Sequence, residues 1–183
     1  TPAQGAKSSV VRDASTGEPV AQVSTEGLDL AAALEYARTT GQASLGALTF
    51  HQRAVILKSL AQVLTDNKAT LYSLSTRTGA TTNDSWVDID GGIGTLFAYA
   101  SRGVRELPNG HVFADGDVEP LSKTGSFIGQ HICVPREGAA LHINAFNFPV
   151  WGMLEKLAPT LLAGVPAIVK PATATSYLTE LVV

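Results

Sequence analysis

Two polar side chains in this sequence stand where strands should end, and both are of types that can do chemistry. Asn147 follows the apolar, branched stretch His142–Phe146 and precedes Pro149; Lys170 closes the apolar run Val165–Val169 and precedes Pro171. An amide that leaves a strand end beside a helix start can donate a hydrogen bond to a developing oxyanion. A lysine at the carboxyl end of a buried parallel strand can reach the ribose or phosphate of a nucleotide. Open α/β sheets bind their ligands at such strand ends. The spacing is equally consistent with a plainer reading, in which Asn147 only caps the helix that follows and Lys170 is only solvated.

The elements that must position these residues can be read around them. The stretch from His142 predicts a strand running out into a turn, with Pro149 fixing φ and opening a helix. That helix is expected over Trp151–Ala163, with Trp151, Leu154, Ala158 and Leu161 near helical spacing. Gly164 is placed to terminate it in the left-handed conformation. Val165–Val169 then predicts a strand buried on both faces of a parallel sheet, followed by a helix from about Ser176. Strand, helix, strand, helix is the opening of a doubly wound α/β domain.

Asn147-Phe148-Pro149, Leu157-Ala158-Pro159, Leu162-Ala163-Gly164 and Val169-Lys170-Pro171-Ala172 together resemble the aldehyde dehydrogenase superfamily in its cofactor-binding domain. The longer stretches His142–Pro159, Ile168–Thr175 and Asp84–Gly94 resemble one branch of it. That branch oxidises CoA-linked semialdehydes in the degradation of aromatic acids, in phenylacetate degradation foremost and in the benzoyl-CoA pathway as a sister group. The likeness runs from about Val20 to Val183.

This resemblance implies an α/β fold, the N-terminal portion of an aldehyde dehydrogenase. Helices and a loop would occupy residues to about 120, an oligomerisation-ribbon strand about 121–137, and the start of the nucleotide-binding sheet about 138–183. It also implies roles: Asn147 donates to the oxyanion, Ile143, Ala145 and Phe146 line the cofactor cleft, Lys170 binds the adenine-side ribose, and Pro171 stiffens the turn. Thr173 stands where many members carry a ribose-binding glutamate. An uncharged hydroxyl there removes repulsion of a 2′-phosphate, so NADP is the expected cofactor and NAD the alternative. The implied substrate is a CoA-linked semialdehyde and the implied assembly a homo-oligomer. The family's cysteine nucleophile and glutamate base have no match in these residues.

Composition sets the outer bounds. The sequence has 183 residues, 45% hydrophobic and 16% charged, with a net charge of −3. These values describe a soluble globular chain without the basic footprint of a nucleic-acid binder. No apolar run is long enough to span a bilayer, and neither a basic-then-apolar leader nor a pair of cysteines is present. A cytoplasmic setting is expected. The sequence begins without methionine and ends inside a predicted helix, so we expect part of a longer protein. A rival reading from another class is a non-catalytic nucleotide-fold module kept for assembly.

Elsewhere the sequence predicts mostly scaffold. Thr1–Lys7 reads as a mobile lead-in. Val10–Asp13 and Val20–Val23 flank Thr16-Gly17 as a hairpin. Helices are expected from Leu28 or Asp29 to Thr39, ended by Gly41; from Thr49 to Leu64 or Thr65, with Gln52 completing a capping box; from an Asp66 cap to Arg77, closed near Gly79; and over Asn83–Arg102. In the last of these Trp86, Ile89, Ile93, Leu96 and Ala100 form the buried face. Gly91, Gly92 and Gly94 lack the spacing of a phosphate loop and should admit a neighbouring helix. Glu106–Pro120 is turn-rich and reads as exposed loop. Ser126–Val134 reads as a strand, Pro135–Gly138 as a turn, and Ala139–Ala145 as the return.

Cys133 has neither the spacing from Gly129-Gln130 nor the context of the family nucleophile, and reads as a buried or half-buried inert cysteine. His51, His111, His131 and His142 lack metal-ligand spacing. Asp88 and Asp90, two positions apart on a helix, do not face each other and receive no acid–base role.

Overall fold

Thr49 and Thr81 each start a long helix, and these two pack on each other and on the helix that begins at Trp151. The computed structural model describes residues 7–183, so all but Lys7 of the expected lead-in Thr1–Lys7 lies outside the described residues. Strands β1 (Ser9–Arg12) and β2 (Pro19–Val23) pair antiparallel across a turn in which Gly17 takes φ 76°. Helix α1 (Leu30–Tyr36) is capped by the Asp29 side chain, which accepts from the Ala32 N–H. The chain stays helical past Gly41: a π turn over Ala37–Gly41 leads directly into α2 (Gln42–Gly46). Gly41 therefore does not end the helix as its residue type suggested. A Cβ at this position would lie 3.1 Å from Pro166 Cβ, so the glycine permits close approach.

Helix α3 (Phe50–Asp66) begins on the expected reciprocal box. Thr49 Oγ1 accepts from the Gln52 N–H, and Gln52 Oε1 accepts from the Thr49 N–H. Ala54, Leu57, Ala61 and Leu64 are its buried stripe. Helix α4 (Lys68–Ser75) and a 3-10 turn (Thr76–Thr78) end at Gly79, φ 86°. Asp66 does not cap α4: it accepts from Gln62, and Asn67 occupies the junction with its amide on the Val63 carbonyl.

Helix α5 (Thr82–Glu106) opens on a second capping box, Thr81 with Asp84. Ile89, Ile93, Leu96 and Ala100 are buried, but Trp86 is 58% exposed. The inward place in that first turn belongs to Ser85, whose hydroxyl pairs with Ser75 at 2.8 Å.

The segment read as loop contains strand β3 (Phe113–Pro120), paired antiparallel with β4 (Ile128–Cys133) in an exposed ribbon. Its turn-forming residues Asp115-Gly116-Asp117 sit at an irregularity in the pairing, with Gly116 at φ 83°. Turn chemistry here marks a bulge rather than the absence of a strand. Strand β5 (Ala140–Ile143) does not pair with β4. It pairs in parallel with β6 (Ala167–Lys170), joined through helix α6 (Trp151–Leu162), with α7 (Ser176–Leu181) after a 3-10 turn. The predicted βαβ unit is thus present.

Strand β6 is half-buried rather than buried on both faces, and Leu141 and Ile143 of β5 are 63% and 66% exposed. Among the described residues, helices cover only one face of this sheet. No helix among them is long and apolar enough to cross a membrane.

Glycines set the distance between α5 and α6. A Cβ on Gly92 would stand 3.1 Å from Trp151 Cα, one on Gly91 3.2 Å from the Trp151 ring, and one on Gly103 2.8 Å from a Leu162 methyl. Gly94 faces open space and takes no part in the contact. Met153, Leu154, Ala158 and Leu162 complete the core from α6.

Helix α6 ends in a Schellman arrangement: the Gly164 N–H donates to Leu161 O (3.0 Å) and the Val165 N–H to Thr160 O (3.1 Å), with Gly164 at φ 81°. Against Gly164 lies the buried Arg53, whose guanidinium sits 4.7 Å over the Phe50 ring and donates to Leu45 O at 3.1 Å. A Cβ on Gly164 would lie 2.4 Å from Arg53 Nη1. Gly164→Ala combines this clash with left-handed backbone that costs an L-residue about 1–2 kcal/mol. We expect it to destabilise the protein by at least about 2 kcal/mol, read from the denaturant midpoint at constant slope; an unshifted midpoint would contradict this packing.

Candidate active site

The turn between β5 and α6, residues 144–150, is exposed where Asn147 stands and braced on its other sides. From the sheet, the Asn144 N–H donates to the Lys170 carbonyl at 3.0 Å, continuing the register that pairs Ile143 with Lys170. Within the turn, the Phe148 carbonyl accepts the Gly152 N–H at 2.8 Å and so starts the helical hydrogen-bond ladder. The Phe148 ring stands edge-on to Trp151, centroids 6.1 Å apart at 69°. Pro149 and Val150 are buried.

The fourth brace comes from another helix. Asp88 of α5, only 3% exposed, accepts from the Trp151 N–H at 2.7 Å (Oδ1) and from the Val150 N–H at 3.3 Å (Oδ2). A helix start leaves several N–H groups without intrahelical partners, and here a carboxylate sixty-odd positions earlier in the sequence satisfies two of them. Burial pushes the Asp88 carboxyl above its usual range, while the N–H donors of Trp151 and Val150 oppose that shift.

In this arrangement Asn147 does not cap α6. No side chain of the turn itself caps α6, and the work of a cap is done by Asp88. Among the described residues, the exposed Asn147 amide has no hydrogen-bond partner and faces outward beside the sheet end.

The structure brings the sequence-predicted residues to one place. Ile143, Ala145, Phe146 and Asn147 leave the carboxyl end of β5, and Lys170, Pro171 and Thr173 leave that of β6, one register step away. Ile143 and Phe146 are each 66% exposed, Lys170 and Thr173 are exposed, and Pro171 is half-buried. Exposed apolar faces beside an ammonium and a hydroxyl suit the base and ribose of a dinucleotide. Neither strand end, 140–147 or 167–175, carries an acid that would repel its phosphates.

Cys133 is exposed rather than buried or half-buried as expected, because it lies on the ribbon strand β4, which is exposed along nearly its whole length, outside this sheet. Among the described residues no cluster of His, Cys, Asp and Glu could hold a metal. Asp90, unlike Asp88, is bound to Lys68 and to the Tyr72 hydroxyl (2.6 Å) away from the turn.

Comparison with known proteins shows the family. A family model described as the aldehyde dehydrogenase family matches residues 1–183. The chain belongs to the aldehyde dehydrogenase family. It is 47% identical over 169 residues to the 3,4-dehydroadipyl-CoA semialdehyde dehydrogenase of Aromatoleum evansii, covering 92% of this chain and 33% of that protein. To the NADP-dependent glyceraldehyde-3-phosphate dehydrogenase of Arabidopsis thaliana it is 31% identical over 144 residues, 78% of this chain and 28% of that protein. The fold matches an NAD-dependent benzaldehyde dehydrogenase from Corynebacterium glutamicum with a TM-score of 0.75 at 20% identity, covering 94% of this chain and 36% of that one. The chain spans about a third of the length of the relatives it matches.

Three polar residues of this aldehyde dehydrogenase segment were not singled out from sequence as parts of the site or its frame. Asp88 was discounted, although an acid flanking the stripe Ser85, Ile89, Gly92 and Leu96 must face a partner helix. Arg53 lies within the α3 stripe and gives a similar signal. Asn144 is buried, with both amide atoms unpartnered among the described residues, and its position on an alternating strand pattern gave no sign of it.

His142, expected as a hydrogen-bonded residue near the sheet, is buried on β5 and shares a 3.1 Å hydrogen bond with the Thr160 hydroxyl. Burial first, and the charge of Lys156 second, hold its pKa below the ordinary 6.5. The unfolded chain therefore binds a proton that the folded one refuses, so stability falls as pH drops through 6.5 towards the folded value. We expect the loss of stability between about pH 7.5 and about pH 5.5 to be smaller in His142→Gln, which does not titrate; equal losses in the two proteins would exclude His142 as a source.

Proposed function

We propose that this chain is the cofactor-binding N-terminal part of an NADP-dependent aldehyde dehydrogenase that oxidises a CoA-linked semialdehyde to the acid in aromatic-acid catabolism. The observation that carries the reading is the free amide of Asn147 at the same sheet end as Lys170, left unoccupied because Asp88 caps α6. The 47% identity to an enzyme named for a CoA semialdehyde supports the substrate class.

Within that class, the wording of His142–Pro159 and Asp84–Gly94 favours the phenylacetate branch. That branch is the bifunctional oxepin-CoA hydrolase/3-oxo-5,6-dehydrosuberyl-CoA semialdehyde dehydrogenase. The relative named for 3,4-dehydroadipyl-CoA semialdehyde favours the benzoyl-CoA sister group as the second reading. A non-catalytic assembly module would have no use for an unpaired amide and an unpaired lysine at one strand end. Exposed Phe127, Ile128, Ile132 and Val134 on and beside the ribbon support assembly as a homo-oligomer.

In this mechanism a cysteine thiolate from elsewhere in the protein attacks the aldehyde carbon, and the carbonyl π pair moves onto oxygen. The Asn147 Nδ2–H group donates to that oxygen as its charge develops. One such donor lowers the barrier by on the order of 3 kcal/mol. Lys170 and Thr173 bind the ribose and its phosphate, and Ile143, Ala145 and Phe146 shield the cleft from water. When bound, the cofactor supplies a hydride acceptor. The acyl–cysteine thioester is then hydrolysed to the acid.

Asn147→Ala in the full-length enzyme should lower kcat by about a hundredfold or more, with affinity for NADP little changed. An unchanged pre-steady-state rate of cofactor reduction would remove Asn147 from the mechanism.

Thr173→Glu should move cofactor choice from NADP towards NAD. A carboxylate there would lie near a phosphate bearing close to two negative charges, in a cleft where water screens poorly, whereas free ribose hydroxyls donate to it well. The readout is the ratio of kcat/KM for the two cofactors at fixed ionic strength. A ratio that stays constant would show that position 173 does not set the preference.

A further inference from the structure

We infer that Asp88 is a positioning residue for the Asn147 turn: its carboxylate, delivered from α5, fixes where the oxyanion donor stands. The inference rests on the role proposed for Asn147 and extends it to a residue on a different helix, distant in sequence.

Position is the issue because the donor side chain is exposed and has no hydrogen-bond partner among the described residues. Asn147 lies three residues before Val150 and four before Trp151, whose N–H groups are the two that Asp88 accepts at 3.3 and 2.7 Å. Pro149 between them fixes one backbone dihedral, so little slack separates the anchored amides from the asparagine. The partner helix is brought close by design of the sequence rather than by chance. Gly91 and Gly92 follow Asp88 by three and four positions, the same face of α5, and any Cβ there would strike Trp151. Carboxylate and glycines thus form one surface of α5 whose shape and charge fit the first turn of α6.

Burying a carboxylate is costly unless it is well hydrogen-bonded. Asp88 is 3% exposed, its two hydrogen bonds both go to this one helix start, and no cation pairs with it among the described residues. A packed apolar residue would serve the core alone better. The acid is explained if what matters is the placement of the N–H groups, and with them the turn.

The test is a double-mutant cycle in the full-length enzyme with NADP and 3,4-dehydroadipyl-CoA semialdehyde, reading the pre-steady-state rate of cofactor reduction and the Kd for NADP by fluorescence titration. Asp88→Asn keeps the shape but replaces one acceptor by a donor facing an N–H group. It should slow reduction by about tenfold to a hundredfold, the scale of a misplaced catalytic group, with Kd changed less than about threefold. On the Asn147→Ala background the same substitution should cost less than about threefold, because the donor being positioned is already gone.

Equal losses in both backgrounds, or a wild-type rate in Asp88→Asn while Asn147→Ala is impaired, would overturn the positioning role alone. A wild-type rate in Asn147→Ala would instead overturn the donor reading, and this inference with it. If Asp88→Asn does not fold, Gly92→Ala takes its place. It retains the carboxylate and favours helix, yet must push Trp151 outward. It should slow reduction when Asn147 is present and by less than about threefold on the Asn147→Ala background, and an undiminished rate in Gly92→Ala would overturn the inference.

Discussion

The close contact between α5 and the first turn of α6 is the constraint on which the remainder of the structure depends. Two glycines remove the side chains that would separate the helices, and a buried carboxylate closes the gap with hydrogen bonds to backbone N–H groups. Each part makes sense only with the other. The glycines alone would leave unsatisfied N–H groups buried, and the carboxylate alone would be an uncompensated charge in the core. Joined, they fix the start of α6, and α6 in turn sets the spacing of the two parallel strands it connects.

Those strands carry the site, and they are supported from one side only. Leu141 and Ile143 point to the uncovered face and His142 to the covered one, the alternation that a strand imposes. The rigid support for the carboxyl end therefore comes from the helical layer: the Thr160 hydroxyl beneath His142, and Arg53 against Gly164 at the entrance to the second strand. The first two-thirds of the chain, which bears none of the candidate site residues, is in this sense the frame of the site.

Much of this was legible from residue types. The capping box at Thr49, the glycine stop at Gly164 and the strand–helix–strand order are local signals, carried by a few neighbouring residues, and each appears where its signal stood. What was illegible depended on partners distant in sequence. Gly41 has the composition of a helix end, but its neighbour Pro166 makes it a point of contact instead. Asp115-Gly116-Asp117 reads as a turn until Ile132 and Gly129 supply strand partners on either side. Asp66 looks like a cap, and Asp88 looks like nothing in particular; the roles reverse because α6 offers its N–H groups to α5 alone.

That reversal bears on how a dinucleotide could sit here. The first helix after the first strand of an open α/β sheet usually offers its positive N-terminus to the pyrophosphate, with glycines that let the phosphates approach. In this chain the place is taken. The N-terminus of α6 already faces a carboxylate, and the residues before it are Asn147, Phe148 and Pro149 instead of glycines. At this sheet end Lys170 and Thr173 are an exposed cation and an exposed hydroxyl donor, the groups proposed above for the ribose and its phosphate. With its helix start held by Asp88, the turn before α6 leaves the Asn147 amide exposed, in keeping with the role proposed for it.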